Sequence, residues 1–275
     1  MPELPEVETV ARDLDPELRN TRIVATQVFR PDVLRLLGPA AFARTLTGGE
    51  ITRTWRRAKH VVMDLDGGHR LVTSLRFTGA WLWHEGAWSG KRHDYTVLAL
   101  SLSNGRTLRY RDVRRLGTVT LMTGEQFARW EATIGPEPLE RRFDARRFRD
   151  AIAGTRRAIK TVLMDQKRIA GVGNIYANEA LWNARIRPDR SASSLGERES
   201  AALHAAVKSI LASAVKQRGT SFRDYRDPQG RRGGFLGLAK VYERGGEPCV
   251  RCGTTLRTTH KLENRITVWC PACQA

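Results

Sequence analysis

The sequence predicts an α+β multidomain protein, and three observations carry that prediction. An amphipathic helix begins almost at the first residue, a run of short β-branched segments follows it, and helical periodicity then gives way to two closely spaced cysteine pairs. At 275 residues the chain has room for two domains with cores of their own, taking about 150 residues per domain as a guide, and for one small appendage. The boundaries are drawn at 1–134, 135–238 and 239–275.

The elements justify themselves in order. From Pro5 to Leu18 the apolar residues Val7, Val10, Ala11, Leu14 and Leu18 recur at helical spacing, and Pro5 suits a first helical turn. From Arg22 to about Leu121 the pattern changes to IVATQVF, HVVMDL, RLVTSLRF, YTVLALSL, RTLRYRD and GTVTLM, separated by Gly-Gly and Asn-Gly turns. Such short, regularly punctuated runs predict an antiparallel β-sandwich or barrel, flanked by helices. Gly-Pro-Glu-Pro-Leu-Glu at 135–140 suits neither helix nor strand and marks a boundary. Helices are expected at about 144–153, 156–164, 174–184 and 196–217. The Gly/Arg-rich stretch at 226–237 reads as a mobile loop, and no internal repeat is present.

Charge narrows the function. Lys and Arg exceed Asp and Glu by 18, arginine outnumbers lysine several-fold, and the isoelectric point is near 10.7. A polyanion is attracted by such a surface over a Debye length or more, and guanidinium groups suit bidentate phosphate and base-edge contacts. Nucleic acid is the expected partner. MPELPEVETV carries three glutamates before its first base, unlike a secretory signal, and no apolar run approaches the roughly 18 residues needed to span a bilayer. A soluble cytoplasmic protein, associated with the nucleoid through DNA and without a membrane partner, is expected.

The four cysteines form Cys249-x2-Cys252 and Cys270-x2-Cys273, with a spacer in the usual four-cysteine zinc interval of about 15–20 residues. Two pairs of soft thiolates complete a tetrahedron around one Zn2+, and four sulfur ligands leave no open position for a water, so the expected zinc is structural. His260 reads as a surface residue.

The N-terminus holds the candidate chemistry. Removal of the initiator methionine, expected before a small residue, would expose the Pro2 amine, which titrates near 7.7–8.0 and is partly an uncharged nucleophile at neutral pH. Held beside the Glu3 carboxylate, with Glu6 one turn on, it is suited to attack a sugar C1′ and form a Schiff base. An alternative is that glutamates in a first helical turn simply favour the helix dipole.

MPELPEVET, the sandwich-like strands, QKRIAGVGNIYANEALWNARIRPDR at 166–190, and VYERGGEPCVRCG with the second cysteine pair resemble the formamidopyrimidine-DNA glycosylase family from end to end. That resemblance implies an N-terminal β-sandwich, a helix-two-turns-helix domain and a zinc finger. It implies excision of oxidised bases by an N-terminal proline, followed by cleavage of the abasic strand, in a monomer acting on damaged double-stranded DNA. Pro2 then matches the nucleophile, Glu3 the acid/base and Glu6 a residue of the lesion pocket. Lys59 matches a lysine that contacts phosphate near the lesion. His93, Arg114, Lys160, Asn174 and Arg265 match DNA-contacting positions.

The family extrudes its target base and fills the gap with a three-residue wedge. Arg114 matches the wedge arginine, but Gly-Met-Ser-Gly is replaced by Arg76-Phe77-Thr78-Gly79, and Leu116 stands where Phe is usual. Phe77, Arg114 and Leu116 are the expected wedge, with burial of Phe77 and Leu116 in the strands' core the competing expectation. Thr220–Phe235 corresponds to the loop covering flipped 8-oxoguanine, which favours oxidised purines, although Arg231-Arg232-Gly233-Gly234 replaces Lys-Pro-Gly-Tyr. Two alternatives on the same scaffold are an oxidised-pyrimidine enzyme of the endonuclease VIII type and a non-catalytic damage-binding protein. A zinc-ribbon transcription protein leaves the N-terminus and GVGN unexplained.

Overall fold

The structure, a computed structural model, describes residues 2–86, 88, 94–221 and 227–275. The chain forms two compact units, Met1–Ala132 with Gln217–Gly234, and Thr133–Lys216 with Phe235–Ala275. The segment 217–234, which the sequence division leaves in 135–238, thus packs with the first unit.

In the first unit α1 spans Leu4–Leu18 and buries Val7, Val10, Ala11, Leu14 and Leu18, the stripe that its periodicity predicts, together with Leu4. Pro16 in its last turn lacks an N–H, and the helix ends two residues later. The strands are β1 (Thr21–Val28), β2 (Leu34–Arg35), β3 (Glu50–Arg57), β4 (His60–Leu65), β5 (Arg70–Ser74), β6 (Gly79–His84), β7 (Thr96–Leu102), β8 (Thr107–Asp112) and β9 (Thr118–Met122). They run in the order β2-β9-β5-β4-β3-β1-β7-β8-β6. Neighbours are antiparallel except for β2 and β9, and β1 joins the two halves by pairing β3 at its start and β7 along the rest, with an irregularity between Ile23 and Ala25.

One core contains Val61, Met63 and Leu71 from one half together with Leu98, Leu100, Leu108 and Tyr110 from the other, closed by Val7, Val10, Leu14 and Leu18 of α1. This is the sandwich arrangement. Side-chain alternation sends Val62 and Val72 to the opposite face, where they meet Phe127 of α3 (Gly124–Glu131), with Trp55 and Trp130 alongside. Helix α2 (Pro39–Leu46) adds Phe42 and Leu46 to the main core.

The second unit contains α4 (Ala145–Ile152), α5 (Ile159–Met164), α6 (Asn174–Asn183) and α7 (Glu197–Lys216), followed by a hairpin of β10 (Arg257–Thr259) and β11 (Thr267–Trp269). Asp144 caps α4 by accepting from the Arg147 N–H. Helix α6 is buried from Ile175 through Trp182, so it forms the unit's axis. Its Trp182 enters the ribbon's small core with Val241, Leu256 and Val268. Among the described residues no helix is long and apolar enough to cross a membrane.

Candidate functional site

The head of α1 is built around carboxylates. Pro2 is buried, and Glu3 and Glu6 retain 3% and 1% of their exposure. Glu3 occupies the N-cap in extended conformation, and its N–H donates to Glu6 Oε2 at 2.7 Å, which satisfies one of the orphan amides of a helix start. Glu6 Oε1 accepts the Thr220 N–H at 2.6 Å. Glu6 is therefore the joint between α1 and the start of the 220–235 loop. Gly219 makes that approach feasible: its φ is +80°, and a Cβ there would lie 2.6 Å from Glu6 Oε1.

Arg218, just before the loop, and Arg231 within it both reach Asp13 of α1. Arg218 also pairs, at 2.5 Å, with Asp227, which in turn accepts from Arg231 Nε at 2.9 Å. Burial works to raise the Asp227 carboxyl, but the Arg218 guanidinium and the Arg231 amide and guanidinium outweigh it and hold the group below its ordinary value. Of the stretch 226–237 read from sequence as mobile, residues 227–234 are thus irregular but pinned.

Lys59 is half-buried in the turn between β3 and β4, next to Ala58, whose φ is +52°. Arg56 braces this turn to α1, donating to Glu8 Oε2 at 2.7 Å and to the Ala58 carbonyl at 3.1 Å. Phe77 and Arg114 come together: Phe77 lies between β5 and β6, Arg114 between β8 and β9, and the guanidinium carbon sits 5.1 Å from the ring centroid. Phe77 is half-buried and Leu116 is 44% exposed, so neither belongs to the core. His93 lies outside the described residues.

In the second unit Gln166 shapes the glycine loop before α6. Its amide donates to the carbonyls of Met164 and Val172, and its oxygen accepts the Gly171 N–H at 2.8 Å. Asn174 starts α6, and its Oδ1 is buried without a hydrogen-bond partner. Arg265 is exposed between β10 and β11, preceded by Glu263 and Asn264, both at φ +53°.

Lys160 differs from expectation. The resemblance implies a phosphate contact, whereas the structure buries the residue completely, and its ammonium donates to the Ile266 carbonyl at 2.8 Å and Thr267 Oγ1 at 2.7 Å. Its charge is satisfied by the hairpin that carries Arg265.

Asn178 and Glu179, which sequence reasoning missed, act on the ribbon in the same way. Asn178 Oδ1 accepts the Val268 N–H at 2.9 Å, and the Glu179 carboxylate accepts the N–H groups of Lys240, Val241 and Tyr242 at 2.8–2.9 Å. Burial raises the Glu179 carboxyl above its ordinary value, against the pull of those three amides. The available signal was a polar pair inside the otherwise apolar run of α6.

The sulfurs of Cys249, Cys252, Cys270 and Cys273 all lie within 4.8 Å of one another, and the cysteines are free of disulfides. Tetrahedral Zn–S bonds of about 2.3 Å place sulfurs about 3.8 Å apart, and Cys252 Sγ and Cys270 Sγ stand at 3.5 Å, so the donor set fits a metal ion.

Comparison with known proteins decides the family. The N-terminal domain of formamidopyrimidine-DNA glycosylase matches residues 1–119, and the H2TH domain of the same enzyme matches residues 134–226. This chain belongs to the formamidopyrimidine-DNA glycosylase family. The formamidopyrimidine-DNA glycosylase of Heliobacterium modesticaldum is 41% identical over the whole of both chains. A Lactococcus lactis formamidopyrimidine-DNA glycosylase mutant in complex with Fapy-dG-containing DNA is 33% identical, with a TM-score of 0.91 over 99% of each chain. The Lactococcus lactis enzyme with abasic-site DNA gives 32% and 0.89 over the same share.

Proposed function

We propose that this chain is a bifunctional DNA glycosylase and abasic-site lyase of base excision repair, acting as a monomer on oxidised purines, 8-oxoguanine and formamidopyrimidines, in nucleoid DNA of the cytoplasm. The observation that carries the reading is the head of α1, where Pro2 and Glu3 are buried together and Glu6 fastens the 220–235 loop beside them. Family membership and the DNA complexes of the related enzymes support the same conclusion.

In this mechanism the free Pro2 amine attacks C1′, forming an N–C1′ bond as the bond to the base breaks, and Glu3 assists by moving the proton. The sugar ring then opens as C1′–O4′ breaks and O4′ takes a proton, and the iminium so formed acidifies the C2′ proton. Its loss expels the 3′ phosphate by β-elimination, and δ-elimination then releases the sugar. Lys59, Asn174 and Arg265 hold phosphates around the extruded nucleotide, while Phe77, Arg114 and Leu116 fill the gap it leaves. Lys160 serves by holding the Arg265 hairpin from behind. The four cysteines hold one structural Zn2+, which keeps that hairpin folded.

Borohydride trapping tests the reading on duplexes carrying 8-oxoguanine, an oxidised pyrimidine or an abasic site. The expected result is a covalent adduct on the 8-oxoguanine duplex that Pro2→Gly abolishes. Excision of the oxidised pyrimidine at least tenfold faster than 8-oxoguanine would overturn the purine assignment. Normal lesion binding without any adduct, in protein shown by intact mass to begin at Pro2, would make the chain a damage-binding protein.

A further inference from the structure

The two wedge loops are far apart in sequence, and topology alone brings them side by side. The 75–78 connection leaves β5 in one half of the sandwich for β6 in the other, and the 113–117 connection returns from β8 to β9. Since β5 pairs with β9 and β6 with β8, the two connections cross between the halves at the same edge. Asp112 lies between them with 1% of its surface exposed.

Its carboxylate serves both connections. Oδ1 accepts from the Thr78 hydroxyl of the first loop and from the Arg114 N–H of the second at 3.2 Å, and Oδ2 accepts the Gly117 N–H at 2.8 Å. The Thr78 oxygen in turn accepts the Arg114 N–H at 3.0 Å. Below this bridge, Gly79 and Gly117 close over Tyr110: a Cβ on either would come within 2.2 Å of its hydroxyl oxygen. Both loop tips also hold a non-glycine residue in left-handed conformation, Arg76 at φ +49° and Arg115 at +52°. Such backbone persists only where its surroundings over-determine it, and the Asp112 bridge is the surrounding that both loops share.

We propose that Asp112, through Thr78, is a positioning residue that yokes the Phe77 loop to the Arg114–Leu116 loop, so that the wedge enters the duplex as one body. This rests on the glycosylase reading above. Asp112 is buried and spends its oxygens on the two loops, so it acts through them. Without the yoke each loop must be ordered separately as the base leaves the stack, and that ordering cost falls on extrusion alone, not on the chemistry at C1′.

The test is single-turnover kinetics of wild type, Thr78→Val, Thr78→Ser and Asp112→Asn on two substrates. One is an 8-oxoguanine:cytosine duplex with 2-aminopurine beside the lesion, whose fluorescence reports unstacking. The other is a single-stranded oligonucleotide with an abasic site, which needs no extrusion. Thr78→Val and Asp112→Asn are expected to slow both the fluorescence rise and base excision about tenfold, with single-strand cleavage within twofold of wild type. Thr78→Ser restores both.

Thr78→Val removes a single hydroxyl and decides the matter if Asp112→Asn does not fold. Unchanged duplex excision in Thr78→Val, or an equal loss on both substrates, overturns the yoke while leaving the glycosylase reading intact. Wild type that cleaves neither substrate overturns the glycosylase reading, and the yoke with it.

Discussion

Glu6 shows how one side chain is held by a site that it also helps to build. Each of its oxygens accepts a backbone N–H, from Glu3 and from Thr220, so replacing either oxygen by an amide sets donor against donor. Glu6→Gln is expected to cost about 1–3 kcal/mol in urea unfolding and to slow base excision more than cleavage at a preformed abasic site. His60 gives a pH signature. Burial against Trp130 is the main cause, aided by the cations of Arg76, Lys59 and Arg57, and it lowers the imidazole to about 4. Unfolded, it titrates near 6.5, so between these values the unfolded chain binds more protons and stability rises with pH. The contribution is complete above about pH 6.5 and is lost as pH falls toward 4. Wild type is expected to lose on the order of 1 kcal/mol more than His60→Phe when urea titrations at pH 7.5 and pH 5 are compared. Pro2 and Glu3 stood out in the sequence by their place just ahead of an amphipathic helix, and the structure buries both there. Asp112 and Glu179 did not stand out, because a buried carboxylate is recognised only by the amides that fold around it.

Elements were legible where one face is apolar and obscured where arginines intrude. Helix α1 and strands β4, β5, β7, β8 and β9 follow their hydrophobic patterns, but β3 carries Arg53, Arg56 and Arg57 and does not read as a strand. Two of those arginines are satisfied by partners far along the chain, Arg56 by Glu8 and Arg57 by Glu131, while Arg53 lies over the Trp55 ring on its own strand. Strand β6 was hidden because its start was taken as part of the wedge turn, and α5 begins three residues later than expected, at Ile159. The connection between α7 and the loop depends on Gly219 for both its positive φ and its close approach to Glu6. Gly219→Ala is expected to destabilise the protein by about 2 kcal/mol, through strain and the displaced carboxylate, and differential scanning calorimetry would register the lowered Tm.

At the scale of the whole molecule the net charge of +18 sets how DNA binding responds to salt. Each phosphate neutralised contributes about −0.9 to the slope of log affinity against log salt, so Arg265→Ala is expected to flatten that slope by about one in fluorescence-anisotropy titrations. Chelating the metal is expected to unfold the ribbon, change Trp182 fluorescence and abolish tight DNA binding, because Trp182 packs in the ribbon's own core. Length alone suggested two domains and the chain forms two compact units, but the cysteine ribbon, set apart in the sequence at 239–275, packs within the second unit, and the return of 217–234 to the first depends on long-range pairs such as Arg218 with Asp13. The Glu179 carboxylate has a kinetic consequence of its own. The amides of Lys240, Val241 and Tyr242 belong to no helix or strand, yet all three donate to a buried anion. In deuterated buffer these three hydrogens should therefore be retained as long as those in the middle of α6, marking an irregular segment that opens only when the unit itself unfolds.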